Sequence, residues 1–221
     1  MEIAVLGAGR VGTALARGWT RAGRTVALGS RDPAAAQAKL DAMGVELPTL
    51  TYADAAIAAE TVVLALPYPA CVDVAAGLGE LAGKVVIDCC NPLNEQFSGL
   101  AIGHDDSAAE RIARRLPRAF VVKAFNTVSV ATMENPHFPE GKASVFYCGD
   151  DAGAKGRVDR LAVDLGFEAH DAGPLKSARY LEPLAMLYIH LAMHENWTFP
   201  FAFGILKRDP SDGRPIASGG D

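Results

Sequence analysis

Short apolar runs alternate with amphipathic stretches through most of the 221-residue chain. Ile3 to Leu6 is the first run, and Thr25 to Leu28 follows after a stretch of helical periodicity. Thr61 to Leu66 is continuously apolar, the mark of a central parallel strand buried on both faces. Lys84 to Cys89, Ala119 to Ala124, Ala143 to Cys148 and Phe167 to His170 complete the strand set, with Val45 to Leu47 as a short addition. Between them the pattern predicts helices over Ala34–Met43, Tyr52–Glu60, Ala70–Leu81, Ser107–Leu116 and Ala152–Leu165. Strand–helix alternation of this kind builds a doubly wound, mostly parallel α/β sheet. From Leu175 to Trp197 the pattern changes to a long helical stretch that is apolar on more than one face. Such a helix needs cover on more than one side, which predicts a homodimer interface.

The first connection carries the most specific signal. Gly7-Ala8-Gly9-Arg10-Val11-Gly12 sits between the first strand and the first helix, the context a dinucleotide fingerprint requires. Gly7 permits the tight turn, Gly9 lets a pyrophosphate approach the backbone, and Gly12 lets helix and strand pack closely. The helix N-terminus then receives the phosphates. The second strand ends Gly29-Ser30-Arg31, where an NAD-binding chain usually has a carboxylate for the ribose 2′-hydroxyl. A serine hydroxyl and a guanidinium suit a 2′-phosphate instead, so the expected cofactor is NADP(H). Asp32-Pro33 reads as the N-cap and first turn of the next helix. The fold class expected is Rossmann-type: residues 1–174 bind the nucleotide, 175–208 form a helical dimerisation and substrate segment, and 209–221 form a disordered tail.

Half the residues are hydrophobic, 21% are charged and the net charge is −5, so nucleic acid is not an expected partner. The chain opens directly on a core strand and holds no apolar run of membrane-spanning length, so a cytoplasmic protein without a leader is expected. Cys71, Cys89, Cys90 and Cys148 fit no zinc spacing and read as buried free thiols. His190 and His194, four apart with Glu195 following, lack a third ligand in the pattern, and no metal is expected. Trp197, Phe199, Phe201 and Phe203 read as core or interface.

Ligands of such sheets bind beyond the carboxyl ends of the strands, where strand order reverses. Leu66, Pro67, Asn91 and Pro92 would line the cofactor toward its nicotinamide, and Tyr68, Asn126, Thr127 and Val128 would face a second substrate. No nucleophile–base pair, metal cluster or carboxylate pair gathers at these loops, so the site reads as one that binds and orients. Lys123 falls within a strand and reads as half of a structural ion pair.

Four segments resemble a known family: Gly7–Gly12, Gly29–Arg31, Val122–Ser129, and Asp171–Leu175 continued by Ser177–Glu182. They are similar to the NADPH-dependent reductases of the deazaflavin coenzyme F-420, and to the cytosolic domain of the STEAP metalloreductases. The resemblance implies a homodimer that passes hydride directly between NADP(H) and F-420 or a flavin (FMN or FAD), with no acid or base catalyst. It places Ser30 and Arg31 at the 2′-phosphate, and Pro67 and Asn126–Val128 beside the two rings. Ala8 and Ala35 depart from the archaeal pattern, where threonine and lysine stand, and Arg10 is the residue placed to compensate. The alternatives are a reductase of a small carbonyl or imine with Lys123 or Tyr68 as proton donor, a flavin-mediated ferric reductase, and a non-catalytic NADPH-responsive protein.

Overall fold

The structure, a computed structural model, describes residues 1–79, 81–195, 197 and 200–207. The tail over 209–221 and Phe199 lie outside the described residues. The apolar runs become strands: β1 (Ile3–Leu6), β2 (Val26–Ser30), β3 (Thr49–Thr51), β4 (Thr61–Leu64), β5 (Val85–Asp88) and β6 (Phe120–Lys123). A small hairpin, β7 (His137–Phe138) and β8 (Gly141–Lys142), precedes β9 (Ser144–Gly149) and β10 (Glu168–Asp171). Eight of the strands form one sheet in the order β10-β9-β6-β5-β4-β1-β2-β3. Its pairings are parallel except that β9 runs antiparallel to β6.

Both faces are covered, and the alternation of side chains along β1 shows it. Ile3 and Val5 join one apolar core, while Ala4 and Leu6 join the other. The first core receives α1 (Arg10–Arg21), α2 (Pro33–Ala42) and α7 (Ala152–Asp164) through Leu15, Trp19, Leu40, Val158 and Leu161. The second receives α3 (Tyr52–Ala58), α4 (Tyr68–Gly77) and α5 (Ala108–Arg115) through Ala55, Ala56, Cys71, Ala75 and Ile112. A one-turn helix, α6 (Val130–Glu134), follows the loop after β6, and a 3-10 turn at Leu175–Ser177 leads into α8 (Ala178–Met193). Strand order reverses between β1 and β4, so the crossovers leave that point in opposite directions.

Three expectations change. Val45 and Leu47 are buried, but the third strand is Thr49–Thr51. Val45 is still closing the turn after α2, its N–H donating to the Leu40 carbonyl, so the chain reaches β2 only at Pro48, whose carbonyl accepts from the Leu28 N–H. The helix expected over Ala70–Leu81 starts at Tyr68 and ends at Gly77, because Pro69 is tolerated in a first turn and Gly79 takes φ +68. The long C-terminal stretch is helical only to Met193 and buries one face in this chain: Ala178, Leu181, Glu182 and Ala185. Tyr180, Leu187 and Met193 stand exposed on the others.

Candidate functional site

At the carboxyl ends of β1 and β4 two helices begin side by side in the sheet order, α1 after Gly9 and α4 after Pro67. Neither has a side-chain cap. Five other helices do, with Asp32, Thr51, Ser107, Ser129 and Asp151 each accepting from a first-turn N–H. The uncapped N–H groups of α1 and the positive end of its dipole are therefore free for an anion at the switch point.

The glycines behave as the fingerprint requires. Gly7 is buried at φ +120, and a Cβ there would lie 2.3 Å from the Ala65 carbonyl oxygen. Gly12 is buried, and a Cβ there would come within 1.9 Å of the Gly7 oxygen. Gly9 is exposed and a Cβ there would meet open space, which is the room a ligand approaching the backbone occupies. Arg10 is exposed and Val11 half-buried beside it. At the end of β2, Ser30 is half-buried and Arg31 exposed, while Asp32 turns away to cap α2 by accepting from the Ala35 N–H at 3.0 Å. The Ser30 hydroxyl accepts from the Asp32 N–H and donates to its carbonyl, so a phosphate would redirect that hydroxyl.

The ring end of the crevice is built differently. Leu66 and Tyr68 are half-buried and Pro67 exposed, with the Tyr68 hydroxyl accepting from Arg111 at 3.2 Å. Asn91 and Asn126 clasp each other: Asn91 Nδ2 donates to the Asn126 carbonyl at 2.9 Å, and Asn126 Nδ2 donates to Asn91 Oδ1 at 3.1 Å. Asn126 Nδ2 also donates to the Leu181 carbonyl of α8 at 2.9 Å. Phe125 makes this turn at φ +60, a strained conformation for a bulky residue. Its ring is 1% exposed and held edge-on between Trp19 and Phe167. Pro92, Thr127 and Val128 are buried, Val128 within the first core. Asn126 Oδ1 and Thr127 Oγ1 are out of solvent without hydrogen-bond partners, so Thr127 reaches a ligand only if this loop shifts.

Ionisable groups do gather beneath these loops, contrary to the reading of the loops alone. Lys123 and Asp88 are 0% exposed and Glu182 is 1% exposed. Lys123 Nζ lies 2.9 Å from Asp88 Oδ2 and 3.0 Å from Glu182 Oε1, and donates to the Cys90 carbonyl. Asp88 Oδ1 accepts from the Cys90 N–H at 2.9 Å, and Glu182 accepts from the Ala108 and Ala109 N–H groups at the start of α5. Burial opposes the charge on Lys123, but Asp88, Cys90 and Glu182 outweigh it and hold the ammonium well above its usual range. Burial pushes the Glu182 carboxyl up, against the pull of Lys123. The structural ion pair expected at Lys123 is thus a three-charge cluster. Its partners are long-range: Asp88 is the register neighbour of Lys123 across β5 and β6, and Glu182 comes from α8. A charge ending each of two apolar strand runs was the sequence signal for Asp88; Glu182 had only its place at the end of the Ser177–Glu182 segment.

All four cysteines are buried free thiols. Cys71, Asp88 and Cys90 offer ligand atoms within 4.8 Å of one another. Both Asp88 oxygens are already engaged by Lys123 and the Cys90 N–H, so the carboxylate serves the ion cluster. The Cys90 thiol is pushed well above its usual value, first by its hydrogen bond with Cys71 and then by burial. The rings of His190 and His194 lie 5.4 Å apart, tilted by 30°, and His190 faces Glu195 at 3.4 Å on the surface. Phe201 stacks on Tyr188, Phe203 meets the same tyrosine edge-on, and Trp197 is edge-on to Phe201.

A doubly wound sheet with an open glycine, an uncapped helix and a Ser-Arg strand end defines a dinucleotide-binding domain of the oxidoreductase kind. Comparison with known proteins narrows the class. The profile of the family described as NADP oxidoreductase coenzyme F420-dependent matches residues 2–92. A protein of Arthrobacter sp. FB24, provisionally described as an F420-dependent NADP-reductase, has a solved structure 34% identical with a TM-score of 0.85. The match covers 94% of this chain and 100% of that one. Metalloreductase STEAP3 of Rattus norvegicus is 31% identical over 84% of this chain, which spans only 37% of that relative's length. An imine reductase of Streptomyces aurantiacus, 24% identical with a TM-score of 0.64 over 89% of this chain and 64% of that one, shares the fold. The chain belongs to the F420-dependent NADP oxidoreductase family. Among the described residues, no helix is long and apolar enough to cross a membrane.

Proposed function

We propose that this chain passes hydride directly between NADP(H) and a deazaflavin such as coenzyme F-420, or a flavin. The carrying observation is the contrast between open and closed groups at the strand ends. The α1 N-terminus, Gly9, Arg10, Ser30 and Arg31 form an accessible anion-binding edge, while Lys123, Asp88 and Glu182 are sealed inside. The 2′-phosphate falls to Ser30 and Arg31, and the pyrophosphate to the N–H groups from Gly9 to Gly12. Leu66, Pro67 and Asn91 line the nicotinamide, and Tyr68 with the Asn126 loop faces the second ring. NADP(H) supplies the hydride chemistry when bound. The protein holds two rings in line and excludes water, a task that needs alignment and no proton donor. The exposed apolar positions Tyr180, Leu187 and Met193 on α8 support a homodimer.

NADPH oxidation should therefore depend on added F-420, FMN or FAD. Tight NADPH binding with no turnover on any of them, or on ferric chelates, would sink the proposal and favour a binding protein. A second reading rests on the Tyr68 hydroxyl beside the Arg111 guanidinium, a phenol at the ring end able to serve as a proton donor for a small carbonyl or imine. Tyr68→Phe with an unchanged rate excludes that role.

A further inference from the structure

The Lys123 cluster holds more loops than a structural ion pair needs. One ammonium joins the end of β5 through Asp88 and Cys90, the end of β6 where it resides, and α8 with the start of α5 through Glu182. An apolar trio of similar volume would fill this space with less desolvation, and buried ion pairs often stabilise no better than such packing. What charges add is register, because each contact must be met at a fixed distance and angle. Here that register converges on one side chain. Asn126 lies three residues beyond Lys123 across the strained Phe125, and its amide is held by Asn91 on one side and by the Leu181 carbonyl, next to Glu182, on the other. Asn126 thus depends on the placement of α8, which the first core cannot set. The apolar contacts of Ala178 and Leu181 carry no directional constraint along α8; the Glu182 carboxylate, pinned between Lys123 and the α5 N–H groups, supplies one in the interior, and the Arg179 fork to Glu110 supplies another nearer the surface.

We infer that Glu182 is a positioning residue: through Lys123 and the Leu181 carbonyl it fixes the Asn126 loop against the Asn91 loop, and so sets the alignment of the two rings. The rate part of this inference rests on the function proposed above; the placement of Asn126 does not.

The test uses the full chain and two readouts. Glu182→Gln keeps one acceptor oxygen at the start of α5, where Ala108 and Ala109 now bond separate carboxylate oxygens, and removes the charge from Lys123. Exchange of the Asn126 side-chain amide protons, followed by nuclear magnetic resonance, should accelerate by about tenfold or more. With F-420 or FMN as acceptor, kcat should fall by about tenfold while the Kd for NADPH stays within about twofold. Arg179→Gln is the control. It breaks the neighbouring half-buried pair of the same helix with Glu110, at 2.8 Å, without touching Lys123, and should change both readouts far less. Should Glu182→Gln fail to fold, Glu182→Asp retains the charge on a shorter arm and should accelerate exchange to a smaller degree. Unchanged Asn126 exchange in the folded variant overturns the inference, whatever the turnover. Faster exchange equal to that of Arg179→Gln also overturns it, because the effect would then be general loosening of α8. Faster exchange specific to Glu182, in a protein without turnover on any acceptor, sustains the placement and removes the proposed function instead.

Discussion

The two ends of the crevice solve different problems with different physics. At β1 and β2 the groups are exposed, uncapped and unpaired with one another: a helix N-terminus, an open glycine, Arg10 and Arg31. At β5, β6 and α8 the charged groups are buried and tied to a single lysine, and half-buried Asn91 bonds buried Asn126 reciprocally. Phosphate recognition tolerates loose geometry because charge attraction falls off slowly and guanidinium arms adapt. Ring alignment does not, since a misplacement of about 1 Å can cost on the order of a hundredfold in rate. An open edge therefore suits one end and a locked interior the other.

Substitutions can break this contrast at either end. The largest effect is expected from Gly12→Val, which drives a side chain into the Gly7 carbonyl 1.9 Å from the new Cβ. It should cost about 3 kcal/mol or more in urea unfolding, while Gly9→Ala stays within about 0.5 kcal/mol and loses NADPH affinity instead. Lys123→Met leaves Asp88 and Glu182 buried without their cation and should lower stability by about 3–5 kcal/mol, measured the same way. At the open end, Arg31→Glu should leave the melting temperature nearly unchanged. It should weaken NADPH by roughly 2–5 kcal/mol and NADH far less in titration calorimetry; equal losses would place Arg31 away from the 2′-phosphate. The smallest effect belongs to Glu110, whose carboxyl is held below 4.5 first by Arg179. A lowered folded value means its contribution is complete above the ordinary glutamate pKa and lost as pH falls from there through the lower, folded value. Glu110→Gln should therefore flatten that part of the acid-unfolding profile and little else.

Much of the open end was legible in the chain. Gly7, Gly9 and Gly12 act within six residues, and Asp32 caps its own helix, so local spacing carries the whole argument. The locked end was legible only in fragments. Asn91 and Asn126 stood out at strand ends, but their clasp spans 35 residues, and the Glu182 contact with Ala108 spans 74. Thr127 and Val128 read as ligand-facing because they follow a strand, whereas the αL turn at Phe125 rolls the loop inward and buries both. The loops likewise read as free of clustered charge because Asp88 and Lys123 each look like a strand ending, and only parallel register makes them neighbours.

The sequence by itself determined the strand–helix alternation, the anion-binding turn and the absence of a carboxylate where NAD-binding chains use one. Each is set by periodicity or by residues a few positions apart, where backbone geometry leaves few choices. Tertiary structure alone decided that one lysine would gather the ends of β5, β6 and α8. It also decided that Asn126 would be held between two elements 35 and 55 residues away. Those contacts depend on the register and packing of elements distant in sequence, and no local pattern encodes them.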